Sequence, residues 1–106
     1  MEFGQCKDTA IEFVNDTGLT VTVPSEGHRV RNPGSLEGWN ILTLGADITD
    51  LAPGASRTVR QNLTIKCIRD AEFQIVYSST EGDEFTQRFA NKDLKDRNAV
   101  LTLTNN

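Results

Sequence analysis

Long apolar runs are missing from this chain. The longest, Ile75-Val76-Tyr77 and Ala99-Val100-Leu101, are three residues each, where a membrane-spanning helix needs about 20 and the core of an export signal about 7–15. The sequence is therefore expected to be soluble, without a transmembrane segment, and with any export signal already removed or never present. Histidine is nearly absent, with His28 alone. Any Ser-His-Asp or Cys-His arrangement would have to use it, and no nucleophile-elbow motif accompanies it. A blue-copper site needs two histidines. Structural zinc needs four ligands, and Cys plus His number three in all. Gly34, Gly38 and Gly45 do not stand at the spacing of a phosphate-cradling loop. With one Trp, one Tyr and five Phe, the chain also lacks the aromatics of a sugar-processing cleft. These absences point to a protein that is not an enzyme and uses no cofactor or metal.

A basic excess is missing too. Fifteen acidic residues face eleven basic ones among 106, for a net charge of −4, which argues against nucleic acid as the partner and gives no pull toward an anionic membrane. Two acidic groups, Asp47 with Asp50 and Glu81 with Asp83 and Glu84, offer oxygens of the kind calcium takes. They read first as solvated turns.

What is present is β-branched. Thr, Val and Ile supply 25 residues, and the apolar ones alternate with polar ones. Ile11 and Phe13 share one parity, as do Leu19, Val21 and Val23. So do Val59, Leu63, Ile65 and Cys67, then Phe73, Ile75 and Tyr77, then Leu101 and Leu103. Period-two alternation marks strands with one buried and one wet face, the habit of antiparallel sheets. Turn residues lie between the runs, at Asn15-Asp16-Thr17-Gly18, Ala52-Pro53-Gly54 and Glu81-Gly82-Asp83. Seven strands are expected, near 9–14, 19–23, 39–44, 57–66, 72–79, 84–90 and 98–104. Residues 91–97 could add one helical turn. The sum is an all-β, antiparallel β-sandwich formed by a single domain over 9–104, preceded by an N-terminal segment, 1–8.

The order of Asn15-Asp16-Thr17-Gly18 and Thr20-Val21-Thr22-Val23, then Leu51-Ala52-Pro53-Gly54-Ala55-Ser56 and Thr58-Val59, then Phe73-Gln74-Ile75-Val76-Tyr77, resembles the immunoglobulin-like accessory domains of bacterial secreted and surface proteins. The likeness covers roughly residues 9–90 and consists mainly of turn chemistry. It implies an immunoglobulin-like fold and a role as a binding or spacer module, and it transfers no functional residue.

Cys6 and Cys67 lie 61 positions apart. In an exported chain they would pair, closing a loop whose chain entropy corresponds to about 4 kcal/mol. Otherwise they are two thiols, with Cys67 a small core residue at a strand end. A lipid anchor on Cys6 is disfavoured by the bulk of Gln5 before it. Two Asn-x-Thr sequons occur, at Asn15 and Asn62.

The irregular stretch 24–38 is the most informative segment for function. It gathers His28, Arg29 and Arg31 in an acidic chain and ends beside Trp39. Guanidinium groups next to an aromatic suit an anion, a carboxylate or the acidic patch of another protein. These four residues form the expected binding set. The leading reading is a non-catalytic interaction module of an exported, extracytoplasmic protein, contacting its partner through the 24–38 loop. A small stand-alone inhibitor or immunity-type protein, and a lipid-binding sandwich of the cytolysin kind, are the alternatives.

Overall fold

The computed structural model describes residues 5–36 and 38–105. They form nine strands and no helix: β1 (Gln5–Asn15), β2 (Val21–Val23), β3 (His28–Arg31), β4 (Asn40–Leu42), β5 (Ile48–Leu51), β6 (Ser56–Lys66), β7 (Ala71–Ser79), β8 (Glu84–Lys92) and β9 (Asn98–Leu103). One sheet has the order β6-β1-β9, with β1 antiparallel to β6 and parallel to β9. In the other, β7 pairs with β8 along one edge, and with β3 and then β2 along its opposite edge; β4 continues from β3, and β5 from β2. Thus β2 and β3 are two halves of one interrupted strand, as are β5 and β4. Nine segments occupy seven strand lines, and the molecule is an all-β sandwich. The core between the sheets holds Ile11, Phe13 and Leu101 from the first and Val30, Phe73 and Ile75 from the second, all at most 1% exposed.

The strands expected from alternation are present, with two additions and several shifted boundaries. β3 falls inside the stretch read as a loop, because Val30 is its one aliphatic residue. β5 shows a buried–exposed–exposed–buried pattern that hides the alternation. There the register against β2 slips by one residue, and Asp50 takes a φ of 52° to absorb it. The N-terminal boundary also moves. Residues 5–8 belong to β1 and Cys6 is fully buried, so the separate segment drawn at 1–8 is corrected; residues 1–4 lie outside the described residues. A bulge at Asp8, with φ 54°, inverts the parity, so that Cys6 and then Thr9, Ile11 and Phe13 all face inward. Finally, residues 93–97 make a turn without a helix, with Leu94 buried in it.

Asn15 shows how a turn residue becomes structural. Its Nδ2 donates to the carbonyls of Leu19 at 2.6 Å and Leu51 at 2.9 Å, while its Oδ1 accepts the backbone N–H and the hydroxyl of Thr17. The side chain is fully buried and both ends of its amide are used. The Asn15 sequon is therefore closed to modification in the folded chain. Asn62 is exposed, and its Oδ1 accepts the N–H of Asp8 at the bulge.

Cys6 and Cys67 are joined by a disulfide, which ties the start of β1 to the turn between β6 and β7. Among the described residues no helix is long and apolar enough to cross a membrane.

Candidate functional site

β3 runs between β4 and β7, so its four residues divide strictly by face. His28 and Val30 point inward at 1% exposure. Arg29 and Arg31 point outward, Arg29 exposed and Arg31 half-buried. The pattern that made 24–38 look irregular is a short strand with a histidine in the core and two arginines on the wet side.

His28 has a structural position. The β2–β3 line is interrupted by Pro24–Gly27, and the N–H of Val76 on β7 there loses the carbonyl that an unbroken neighbour would supply. The imidazole replaces it: Nδ1 accepts from Val76 N at 3.1 Å, and Nε2–H donates to the Pro24 carbonyl at 2.5 Å. Burial lowers the His28 pKa below its ordinary 6.5, against a smaller upward pull from the Pro24 carbonyl. Both donors and acceptors of a neutral imidazole are thus satisfied. His28 is set apart from the surface that Arg29, Arg31 and Trp39 share.

Those three residues sit on the outer face of the second sheet. Arg31 donates from Nε to Glu72 Oε1 at 2.8 Å, and its Nη2 lies 2.7 Å from the same oxygen. The pair compensates Glu72, which is only 8% exposed. Trp39 immediately precedes β4 and lies across the strands. The Arg31 guanidinium carbon is 4.4 Å from its ring centroid and that of Arg88, on β8, is 5.5 Å away. Both contacts are in the range of cation–π attraction. Strand register adds the rest: Ile41 is opposite Arg29, Arg29 opposite Gln74, and Gln74 opposite Arg88. These four form one rung on the same face. Ile41 is 82% exposed, and Leu36, in the connection before Trp39, is fully exposed. Among the described residues neither Arg29 nor Arg88 has an ion-pair partner.

Among the described residues the face combines the guanidinium groups of Arg29, Arg31 and Arg88, the Glu72 carboxylate and the Trp39 indole, with the exposed Ile41 opposite Arg29. Reasoning on the 24–38 stretch reached Arg29, Arg31 and Trp39. It missed Arg88, Glu72 and Gln74. Their outward direction was readable from alternation around Phe73, Ile75 and Tyr77, but their place beside Arg29 depends on register between distant strands.

The acidic groups considered for calcium are engaged locally. Asp47 accepts the Ser25 N–H at 2.7 Å and Asp83 accepts the Ser79 hydroxyl at 3.0 Å. Among the described residues no three His, Cys, Asp or Glu side chains gather as a metal site would need. A shallow groove of about 480 Å³ runs along Pro24, Val76, Ser78, Glu84 and Thr86 at the far end of the same sheet, with no set of converging charges. Comparison with protein-family models, with curated proteins and with solved structures finds no match to this chain.

Proposed function

We propose that this chain is a non-catalytic binding module of an exported protein, immunoglobulin-like in arrangement, and that it contacts a partner protein through the outer face centred on β3. The observation that carries the reading is the placement of Arg31 and Arg88 against Trp39, with Arg29 on the same sheet face, in a chain of net charge −4. Arginine and tryptophan are the side chains most often found to dominate protein contacts, because each presents a large rigid surface with a polar function. A sheet face also presents them with little entropy left to lose on binding. The contact surface is accordingly a strand with its flanks, in place of a flexible 24–38 loop. The Cys6–Cys67 disulfide supports an oxidising, extracytoplasmic setting.

A photo-crosslinking residue placed at position 29, on the oxidised full-length protein, tests the assignment in an extract of the producing cell's exterior. The same residue placed at Thr58, on the outer face of the first sheet, is the control. A single adduct formed from position 29 and absent from position 58 is expected. Equal labelling from both positions, or none from position 29, rejects this face as the contact. Lipid adducts in place of protein would move the reading to the membrane-binding alternative, and an adduct with an enzyme to the inhibitor.

A further inference from the structure

We infer that the occupant of this face is an extended acidic segment of the partner, with two carboxylates three residues apart, one on Arg29 and one on Arg88. The inference rests on the reading that this face is the contact surface and adds the chemistry of what it takes. Arg31 already holds Glu72, whereas Arg29 and Arg88 reach no carboxylate among the described residues. Arg29 and Arg88 stand on one rung, separated by β7. Two strand spacings put their backbones about 10 Å apart. A polyproline II segment has three residues per turn and rises about 3.1 Å per residue, so side chains at i and i+3 share a side about 9 Å apart. Its spacing matches that of the two arginines. An ordinary β-strand fits less well, since its same-side residues recur at about 7 Å and then 13 Å. The Trp39 ring, within cation–π range of Arg31 and Arg88, supplies an aromatic surface of the kind on which such segments pack.

A carboxylate-bearing peptide is favoured over a phosphate polymer or an anionic membrane by what surrounds the patch. Apart from these three arginines the chain carries fifteen acidic residues against eight basic, so a long polyanion gains no net attraction from the rest of the molecule. A short acidic segment of one protein confines its charge to the rung itself.

Trp39 is the chain's only tryptophan, so its emission reports this site and nothing else. The test titrates the oxidised full-length protein with an acetylated, amidated Pro-Glu-Pro-Pro-Glu-Pro peptide. Three controls follow: its Gln counterpart, a version with adjacent glutamates, and an oligothymidylate. Binding is measured in parallel by calorimetry. The Glu-x-x-Glu peptide is expected to shift Trp39 emission saturably and to bind tighter than both peptide controls. Arg29→Gln and Arg88→Gln should each weaken it about tenfold, the scale of one lost charge-assisted pair, while Lys95→Gln should leave it unchanged. Adding salt should weaken binding as well. No heat and no shift up to about 1 mM peptide, a Kd near the limit of useful recognition, overturns the inference. So do equal affinity for the Gln peptide and tighter binding of the oligothymidylate. Failure here with the position-29 adduct intact removes only the acidic occupant. Loss of that adduct removes the face itself.

Discussion

A single side chain can hold a broken strand in register, and His28 does so by giving Val76 a hydrogen-bond acceptor where the backbone has none. Its neutral form is the useful one, because protonated imidazole has no acceptor left. The sign of the pH dependence follows. The folded pKa lies below the ordinary 6.5, so in the window between the two values the unfolded chain binds more protons than the folded one. The contribution is complete above about pH 6.5 and is lost as the pH falls below that value toward the lower folded pKa. Replacing His28 by Leu, which fills the space but accepts nothing, should cost about 1–3 kcal/mol at neutral pH. That penalty should shrink on acidification to about pH 5, because there the histidine of the unfolded chain takes up a proton that the buried imidazole resists. Denaturant midpoints of both proteins at the two pH values measure this. A penalty independent of pH would mean that the imidazole acts by packing alone.

At the scale of elements, the interruptions deserve as much explanation as the strands. Pro24 has no N–H to give the ladder, and Gly27 has a φ of 100°, so the chain leaves β2, inserts extra residues and rejoins β7 at β3. The excursion is braced from the opposite line, where Leu44 N–H donates to Ser25 O and Asp47 accepts Ser25 N–H, both at 2.7 Å. A side chain at position 27 would place its Cβ 3.0 Å from Val76 Cγ2 on a backbone that favours glycine. Gly27→Ala should therefore destabilise by about 1–3 kcal/mol, the cost of one strained non-glycine residue. In thermal melts that is a fall of several degrees; an unchanged melting temperature would show that the excursion re-forms freely. These interruptions also explain what could be read beforehand. Runs with uninterrupted parity, such as Phe73-Ile75-Tyr77 and Leu101-Leu103, announce their strands. β5 was hidden because Asp50 resets its phase, and β3 because His28 spends its inward position on a backbone partner. The residues of the proposed contact face divide the same way. Arg29 and Arg31 drew notice through local charge, while Arg88 joins Arg29 only through Gln74 on the strand between them, by register that local periodicity cannot specify.

For the whole molecule, the two sheets need fastening where no ladder joins them. One seam, between β8 and β9, is closed by side chains: Gln87 Oε1 accepts the Thr104 N–H at 3.1 Å, and the Tyr77 hydroxyl donates to the Thr104 carbonyl. Burial raises the Tyr77 pKa, so the hydroxyl stays a donor throughout the neutral range. At the opposite end of β1 a covalent bond ties that strand to the turn that carries the chain from β6 toward the second sheet. Cys6 and Cys67 are 61 positions apart, and closing a loop of that length removes unfolded-state entropy corresponding to about 4 kcal/mol. A domain of this size has about 5–15 kcal/mol in total, so the bridge accounts for a large share of what keeps it folded. Reduction, or Cys6→Ser with Cys67→Ser, should lower the unfolding free energy by about 2–4 kcal/mol, with the oxidised form lighter than the reduced by two hydrogens in intact mass. The Trp39 emission at low denaturant should remain native-like, because the site lies in the other sheet and shares no residue with the bridge. That combination, a weaker fold with an intact outer face around Trp39, is what the proposed extracytoplasmic binding module predicts. A loss below about 1 kcal/mol would mean the β1–β6 pairing already holds this end of the sheet, and the disulfide would cease to argue for export.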